Sequence, residues 1–230
     1  MAVTAKSFTY KNEELVWARR IAKRIGIKHI IINTKEFKNK KFINNSQDRC
    51  YWCKRELFSC LTQINLRYRM KYILDGTNYG DRLDNRPGFM ANKEFGVVSP
   101  LYECKFSKQE LSRLAKRLNL SCLVRPQQAC LASRVPFREP ITRARLKKIE
   151  FAEKILSDFL GREIILRARD HNDILRIETE KKAWTKLKKI DINKIMTRLK
   201  KIGYKYIILD LEGYIPAGLR TAQSAMQKVT

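Results

Sequence analysis

An α/β fold is what the sequence predicts: a mostly parallel, doubly wound sheet joined to a smaller C-terminal α+β domain. Three observations carry it. Strand-like and helix-like stretches alternate through the first 125 residues, as they do in a parallel sheet with helices on both faces. Residues 125–141 contain Pro126, Pro136 and Pro140 and show no periodicity, which interrupts that pattern. Beyond them come a long amphipathic helix, two strands joined by a tight turn, a second helix and a last strand. The expected domains are 1–125 and 142–230, with a linker at 126–141.

Each element has a local reason. Residues 3–5 read as the tail of a strand. A helix follows over 12–25, with Leu15, Ala18, Ala22 and Ile25 on one face and Gly26 placed to close it. Residues 28–33 carry the Ile core of a second strand. A basic loop (35–41) leads into the turn-rich Asn44–Asp48 stretch, and a helix is predicted over 53–67, with Leu57, Cys60, Leu61 and Ile64 inward. Residues 71–74 read as a strand that feeds the polar loop GTNYGDRLDNRPG. Ser107 and Glu110 form a capping box for a helix running to about 119. Leu120, Cys122 and Val124 alternate as a short strand does. In the second half, 142–160 is a helix with Leu146, Ile149, Ala152, Leu156 and Phe159 inward and Gly161 after it. Strands at 164–169 and 173–178 flank a turn at 170–172. A helix over 183–201, with Trp184, Leu187, Ile195 and Leu199 inward, precedes a strand at 205–211.

The chain has 230 residues, 44% of them apolar, enough for a real core; disorder as the main state is excluded. No apolar run reaches the 18 residues of a membrane span, and the N-terminus lacks the pattern of a signal peptide, so a cytoplasmic protein without a membrane partner is expected. Lys and Arg number 49 against 23 Asp and Glu, a net charge of +26. That excess suits phosphate-bearing partners, a nucleotide or a nucleic acid. Glycine is scarce at nine residues, and no GxGxxG, GxxxxGK[ST] or SGGxDS cradle for phosphate occurs.

Six cysteines stand at 50, 53, 60, 104, 122 and 130. In a reducing compartment such a set is not read as disulfides. Cys50-x-x-Cys53 is the sharpest feature. Its spacing lets two thiolates reach one metal, and a helix start favours the thiolate. Cys60 and Cys122 read as core. Cys104 is undecided. Cys130 lies in an irregular stretch beside Ser133, Arg134 and Arg138, an accessible and electropositive setting for a reactive thiolate. Three cysteines could hold an iron–sulfur cluster with one open iron; a zinc site would need Cys104 or His171 as a fourth ligand. In the GTN loop, carboxylates at a strand's end (Asp75, Asp81, Asp84) could hold Mg²⁺ while Arg86 pairs with phosphate; the alternative is an Asx-rich surface turn. Arg167 and Arg169, two apart on a strand, share a face, as do Arg176 and Glu178 on the paired strand. They could clamp a phosphate or carboxylate, or form a plain cross-strand ladder.

Taken together, DRCYWCKRELF (48–58), LDGTNYGDRLDNRPG (74–88), SPLYE (99–103), ACLASRVPF (129–137), RARDHNDILRIE (167–178) and LDLEGY (209–214) occur in an order that resembles the LarE family of ATP-dependent sulfur transferases, within the PP-loop pyrophosphatase superfamily. The resemblance covers nearly all of the chain. It implies an adenine nucleotide alpha hydrolase-like fold and conversion of a pyridinium mononucleotide carboxylate to a thiocarboxylate through an acyl-adenylate, en route to the nickel-pincer nucleotide cofactor. By the same resemblance, ATP and Mg²⁺ belong with Asp75, Gly76, Thr77, Asn78, Asp81 and Arg86, and anionic groups with Arg134, Arg167 and Arg169. Cys130 and Glu178 would be catalytic. Cys50, Cys53 and Cys130 match the three ligands of a 4Fe–4S cluster that carries an extra sulfide, or Cys130 is itself the sulfur donor. The family opens with a strand, an SGGxDS loop and a helix. Here residues 3–7 already correspond to the second strand, so a shortened chain or a partner polypeptide supplying that loop is expected. Arg138 stands where glycine is usual, and residues 214–219 depart from the family pattern. A tRNA-thiolating relative, a non-catalytic remnant and a homo-oligomer complete the expectations.

Overall fold

A computed structural model describes residues 1–83, 87–120, 129–187 and 191–215. The chain divides into two compact units, Met1–Ser7 with Asn12–Gln127 and Phe8–Lys11 with Gln128–Thr230.

The first unit opens with a parallel pair, β1 (Ala2–Lys6) and β2 (His29–Asn33), in register from Ala2 opposite His29 to Lys6 opposite Asn33. The crossover is α1 (Asn12–Arg24). Its first turn carries Glu13 and Glu14 and its last Lys23 and Arg24, the charge order that complements the helix dipole. Gly26 ends it with φ +70°, a conformation a side chain resists. A 3₁₀ turn (Glu36–Lys38) and α2 (Lys40–Ile43) lead to α3 (Arg49–Arg67), where Phe42 and Phe58 are buried. Then come α4 (Gly88–Glu94), α5 (Pro100–Glu103) and α6 (Lys108–Arg117). The expected capping box is present: Glu110 N–H donates to Ser107 Oγ at 3.2 Å and Ser107 N–H to Glu110 Oε2 at 2.8 Å.

Two expectations change, and a third lies outside the described residues. The strand at 71–74 reduces to one parallel bridge, Leu74 with Val98, so the sheet of the first unit, among its described residues, is the two-stranded β1–β2 pair and not a doubly wound one. Alternating apolar residues favour an extended chain, but only a neighbour with free N–H and C=O groups makes it a strand. The expected strand at 120–124 reaches into 121–128, outside the described residues. The helix predicted from Cys53 begins four residues earlier, at Arg49. Asp48 starts it, with Tyr51 N–H donating to the Asp48 carbonyl at 2.9 Å.

In the second unit a 3₁₀ turn (Leu131–Arg134) precedes α7 (Arg143–Leu160), capped by Thr142, which accepts from Arg145 N–H at 3.1 Å. Leu146, Ile149, Ala152, Leu156 and Leu160 are buried along one stripe; Phe159 is only half-buried. The sheet is mixed: β3 (Leu166–His171) pairs antiparallel with β4 (Ile174–Thr179), which pairs in parallel with β5 (Tyr206–Leu209). Asn172, at φ +62°, makes the hairpin turn. The single helix expected over 183–201 is two, α8 (Lys182–Leu187) and α9 (Ile192–Lys201), because Asp191 caps a new helix through Lys194 N–H at 3.1 Å. α7 packs on β3 and α9 on β5.

Candidate functional site

In the first unit, Cys50 and Cys53 lie three residues apart at the start of α3. Side chains at that spacing share a helix face, with Cβ atoms about 5–6 Å apart. Both thiols are half-buried, and none of the described cysteines forms a disulfide. α4 approaches closely here: a Cβ on Gly88 would stand 3.1 Å from Lys54 Cδ and 3.6 Å from the Cys50 carbonyl oxygen.

The next residue, Lys54, ties this helix to the GTN loop. Its Nζ donates to Asn92 Oδ1 at 2.8 Å and lies 3.8 Å from Asp75 Oδ2. Asp75 is the hub. Its carboxylate accepts from Ser99 Oγ (2.6 Å), Asn92 Nδ2 (2.6 Å), Thr77 Oγ1 (2.7 Å) and Thr77 N–H (3.1 Å). Burial opposes its charge, yet the hydrogen bonds from Ser99, Thr77 and Asn92 win and hold the carboxyl below its ordinary value. Asn78 is buried; its side-chain N–H donates to Asp81 Oδ2 at 2.7 Å, and its own oxygen accepts from Gly80 N–H at 3.0 Å. Lys108 stands 3.4 Å from Asp81. The described part of the loop is thus an internally bonded turn whose Asp75 and Asp81 carboxylates face protein donors. Gly76 is exposed, and Arg86 lies outside the described residues. Lys54, Asn92 and Ser99 hold this hub together, and nothing in their local sequence marks them.

In the second unit the 3₁₀ turn places Cys130 at the head of a clamp. Arg134 is wholly buried. Its Nη1 donates to the carbonyls of Ala129 (2.7 Å) and Cys130 (2.9 Å) and to Ser133 Oγ (3.0 Å), while Nε and Nη2 reach Glu153 at 2.8 and 3.3 Å. Lys11 adds a second cation to Glu153 at 2.7 Å, and Leu131 N–H donates to the Thr9 carbonyl at 2.7 Å. Burial alone would raise the Glu153 carboxyl; Arg134 and Lys11 bring it down to about 2. Arg134, expected to contact an anion, is instead committed to the backbone that carries Cys130. The buried guanidinium needs five acceptors, and the turn and Glu153 supply them. Glu153 was missed, although a carboxylate on the apolar stripe of a helix was the available signal.

On the sheet face, Arg169 Nε and Nη2 reach Glu178 at 2.9 and 3.0 Å, and Nη1 reaches the Ser133 carbonyl at 2.5 Å. Arg176 lies 3.2 Å from Glu178 and 3.3 Å from Asp210. Arg167 differs. It is 4% exposed, yet no described carboxylate pairs with it, although Glu178 is its register partner. Its Nη1 donates to the Leu166 carbonyl at 2.8 Å, and its guanidinium carbon sits 5.0 Å from the ring centre of Tyr214. Burial first, then repulsion by Arg134, pushes it below its usual range. Glu153 opposes that shift from a distance, but no described carboxylate lies in contact with the Arg167 guanidinium, so burial still disfavours its charge.

Of the remaining candidates, Cys60 is half-buried, with its thiol pushed up by burial and by Glu56, as an inert packing residue is; Cys104 is exposed, and Cys122 lies outside the described residues. His171 is pushed down by burial and by Arg176, which favours neutral imidazole. Within each unit, no three described His, Cys, Asp or Glu side chains converge as a metal site. No described helix is long and apolar enough to cross a membrane.

No family model matches the chain. It is 35% identical to an uncharacterised protein of Synechocystis sp. over 93% of its own length and 80% of the relative's. It is equally identical to an uncharacterised protein of Methanocaldococcus jannaschii, over 83% and 73%. It is 30% identical to the pyridinium-3,5-bisthiocarboxylic acid mononucleotide synthase of Lactiplantibacillus plantarum, over 93% and 76%.

Proposed function

We propose, from the premise that this chain belongs to the LarE family of the pyridinium-3,5-bisthiocarboxylic acid mononucleotide synthase, that it replaces carboxylate oxygen by sulfur on a pyridinium mononucleotide. ATP would adenylylate the substrate carboxylate with release of pyrophosphate. Sulfur would then attack the acyl-adenylate, expelling AMP and leaving a thiocarboxylate. Arg167 is the observation that carries the reading, because a buried guanidinium in contact with no described carboxylate suits the substrate's phosphate or carboxylate. Arg169, oriented by Glu178, flanks it on the same strand.

Cys50, Cys53 and Cys130 are the thiols assigned to sulfur handling. A 4Fe–4S cluster, where bound, would supply a transferable sulfide; in the sacrificial variant the Cys130 thiolate would attack the acyl-adenylate, expelling AMP, and its C–S bond would then break with loss of the Cα proton, leaving dehydroalanine. What this chain supplies at Cys130 is a fixed backbone, through Arg134 and Ser133. The nucleotide site would draw on the Asp75–Asp81 loop, with Mg²⁺ on the ATP phosphates. The phosphate loop would come from a further polypeptide segment.

The test is anaerobic reconstitution followed by incubation with ATP and the dicarboxylated mononucleotide. Exchange of one oxygen for sulfur, read by mass spectrometry and lost in Arg167→Ala and Cys130→Ala, supports the reading. Zinc-loaded, colourless protein that still makes thiocarboxylate removes the cluster. No acyl-adenylate and no thiocarboxylate, with the phosphate-loop segment added, removes the reaction.

A further inference from the structure

The C-terminal end of α3 carries a surface that the proposed chemistry does not use. The chain leaves the helix through Arg67-Tyr68-Arg69-Met70-Lys71-Tyr72, cations and large side chains in alternation, all exposed. Tyr68, Met70 and Tyr72 expose 37%, 41% and 58% of their surface. Lys28 joins the patch from the turn before β2, with its Nζ 4.9 Å from the centre of the Tyr68 ring. The Arg67 guanidinium lies 5.9 Å from that ring, and Lys71 Nζ 5.3 Å from the Tyr72 ring.

Acidic residues are excluded from both contributing stretches. Residues 15–35 and 57–74 together hold nine Lys and Arg and no Asp or Glu. No described carboxylate pairs with Lys28, Arg67, Arg69 or Lys71. The turn also stores strain. Arg69 sits at φ +49°, with Arg69 N–H on the Leu66 carbonyl (3.2 Å) and Met70 N–H on the Asn65 carbonyl (3.0 Å). That is the helix-ending position where glycine is favoured, and a β-carbon there costs about 1 kcal/mol.

We infer that this patch binds single-stranded nucleic acid, the cations taking backbone phosphates and Tyr68 and Tyr72 stacking on unpaired bases. The patch presents cations and aromatic rings in alternation along an exposed stretch. Binding is therefore indifferent to sequence and to ribose versus deoxyribose. The inference does not rest on the sulfur-transfer reading.

Fluorescence anisotropy on the full chain tests it, with labelled oligouridine, oligodeoxythymidine and a blunt DNA duplex. The two single strands should bind alike and more tightly than the duplex. Four phosphate contacts predict a loss of about 50-fold in affinity between 50 and 200 mM salt. Tyr68→Ala and Tyr72→Ala should each weaken binding by roughly fivefold or more. Arg69→Gly should weaken it while raising the melting temperature, so misfolding cannot mimic the effect. Unchanged affinity in both tyrosine variants, or equal affinity for the duplex, overturns the inference and leaves a merely cationic surface. Thiocarboxylate formation is read separately and should survive all three substitutions.

Discussion

Replacing Glu153 by glutamine tests the clamp under Cys130 directly. Glu153 is fully buried, between Arg134 at 2.8 Å and Lys11 at 2.7 Å. Its carboxyl falls from an ordinary 4.5 to about 2 on folding. At 1.36 kcal/mol per unit, that difference contributes about 3 kcal/mol of stability. Because the folded value is the depressed one, the contribution is fully present above pH 4.5 or so and drains away as the pH falls towards 2. Glutamine keeps the shape but strands a buried guanidinium without its counter-charge, which costs about 3–5 kcal/mol at neutral pH. Hydrogen exchange of α7 peptides, followed in the native chain and in Glu153→Gln from pH 7 down to pH 2.5, reads the second unit by itself. The native protein should lose protection on acidification; the variant should start less protected and show a flatter response. Cys130 should also react faster with a thiol reagent in the variant, because Arg134 no longer fixes the Ala129 and Cys130 carbonyls. Equal protection at pH 7, or the same acid response in both proteins, would refute the clamp.

Other consequences follow from the same geometry. Arg167→Ala should weaken binding of a pyridinium mononucleotide at least tenfold by calorimetry without lowering the melting temperature, since burial disfavours its charge and no described carboxylate is in contact with it; a lower melting temperature with unchanged binding would make Arg167 structural. Asp75→Ala should cost roughly 2–3 kcal/mol in urea melts, because Ser99, Asn92 and Thr77 lose their common acceptor. The Asp75 carboxyl is held below its ordinary 3.8, so its contribution exists above about that pH and fades as acid protonates it; a melt with no such dependence in the native-minus-variant difference counts against the hub. Gly213→Ala should cost about 1–2 kcal/mol, because φ is +80° and the new Cβ would meet the Thr179 carbonyl oxygen at 3.0 Å.

Much of the fold was legible because local rules acted alone. The Ser107–Glu110 box, the Gly26 stop and the Leu146–Leu160 stripe are each decided within a few residues, and each stands in the structure as read. The Arg167/Arg169 and Arg176/Glu178 face was equally readable, since strand side chains alternate with period two. The residues that hold the site were not. Lys54 reaches Asp75 across 21 positions and Arg134 reaches Glu153 across 19, and no local pattern encodes such pairings.

By itself the sequence determined the long helices α1, α6 and α7, where cysteines and arginines cluster, and which family the motifs match. Only the tertiary structure decided which guanidinium is spent on holding the backbone and which is buried without a carboxylate in contact among the described residues. Arg134 and Arg167 look alike in sequence, and both are buried; one met Glu153 and the other met no described carboxylate. A charge taken out of water is defined by its partner, and the partner comes from folding.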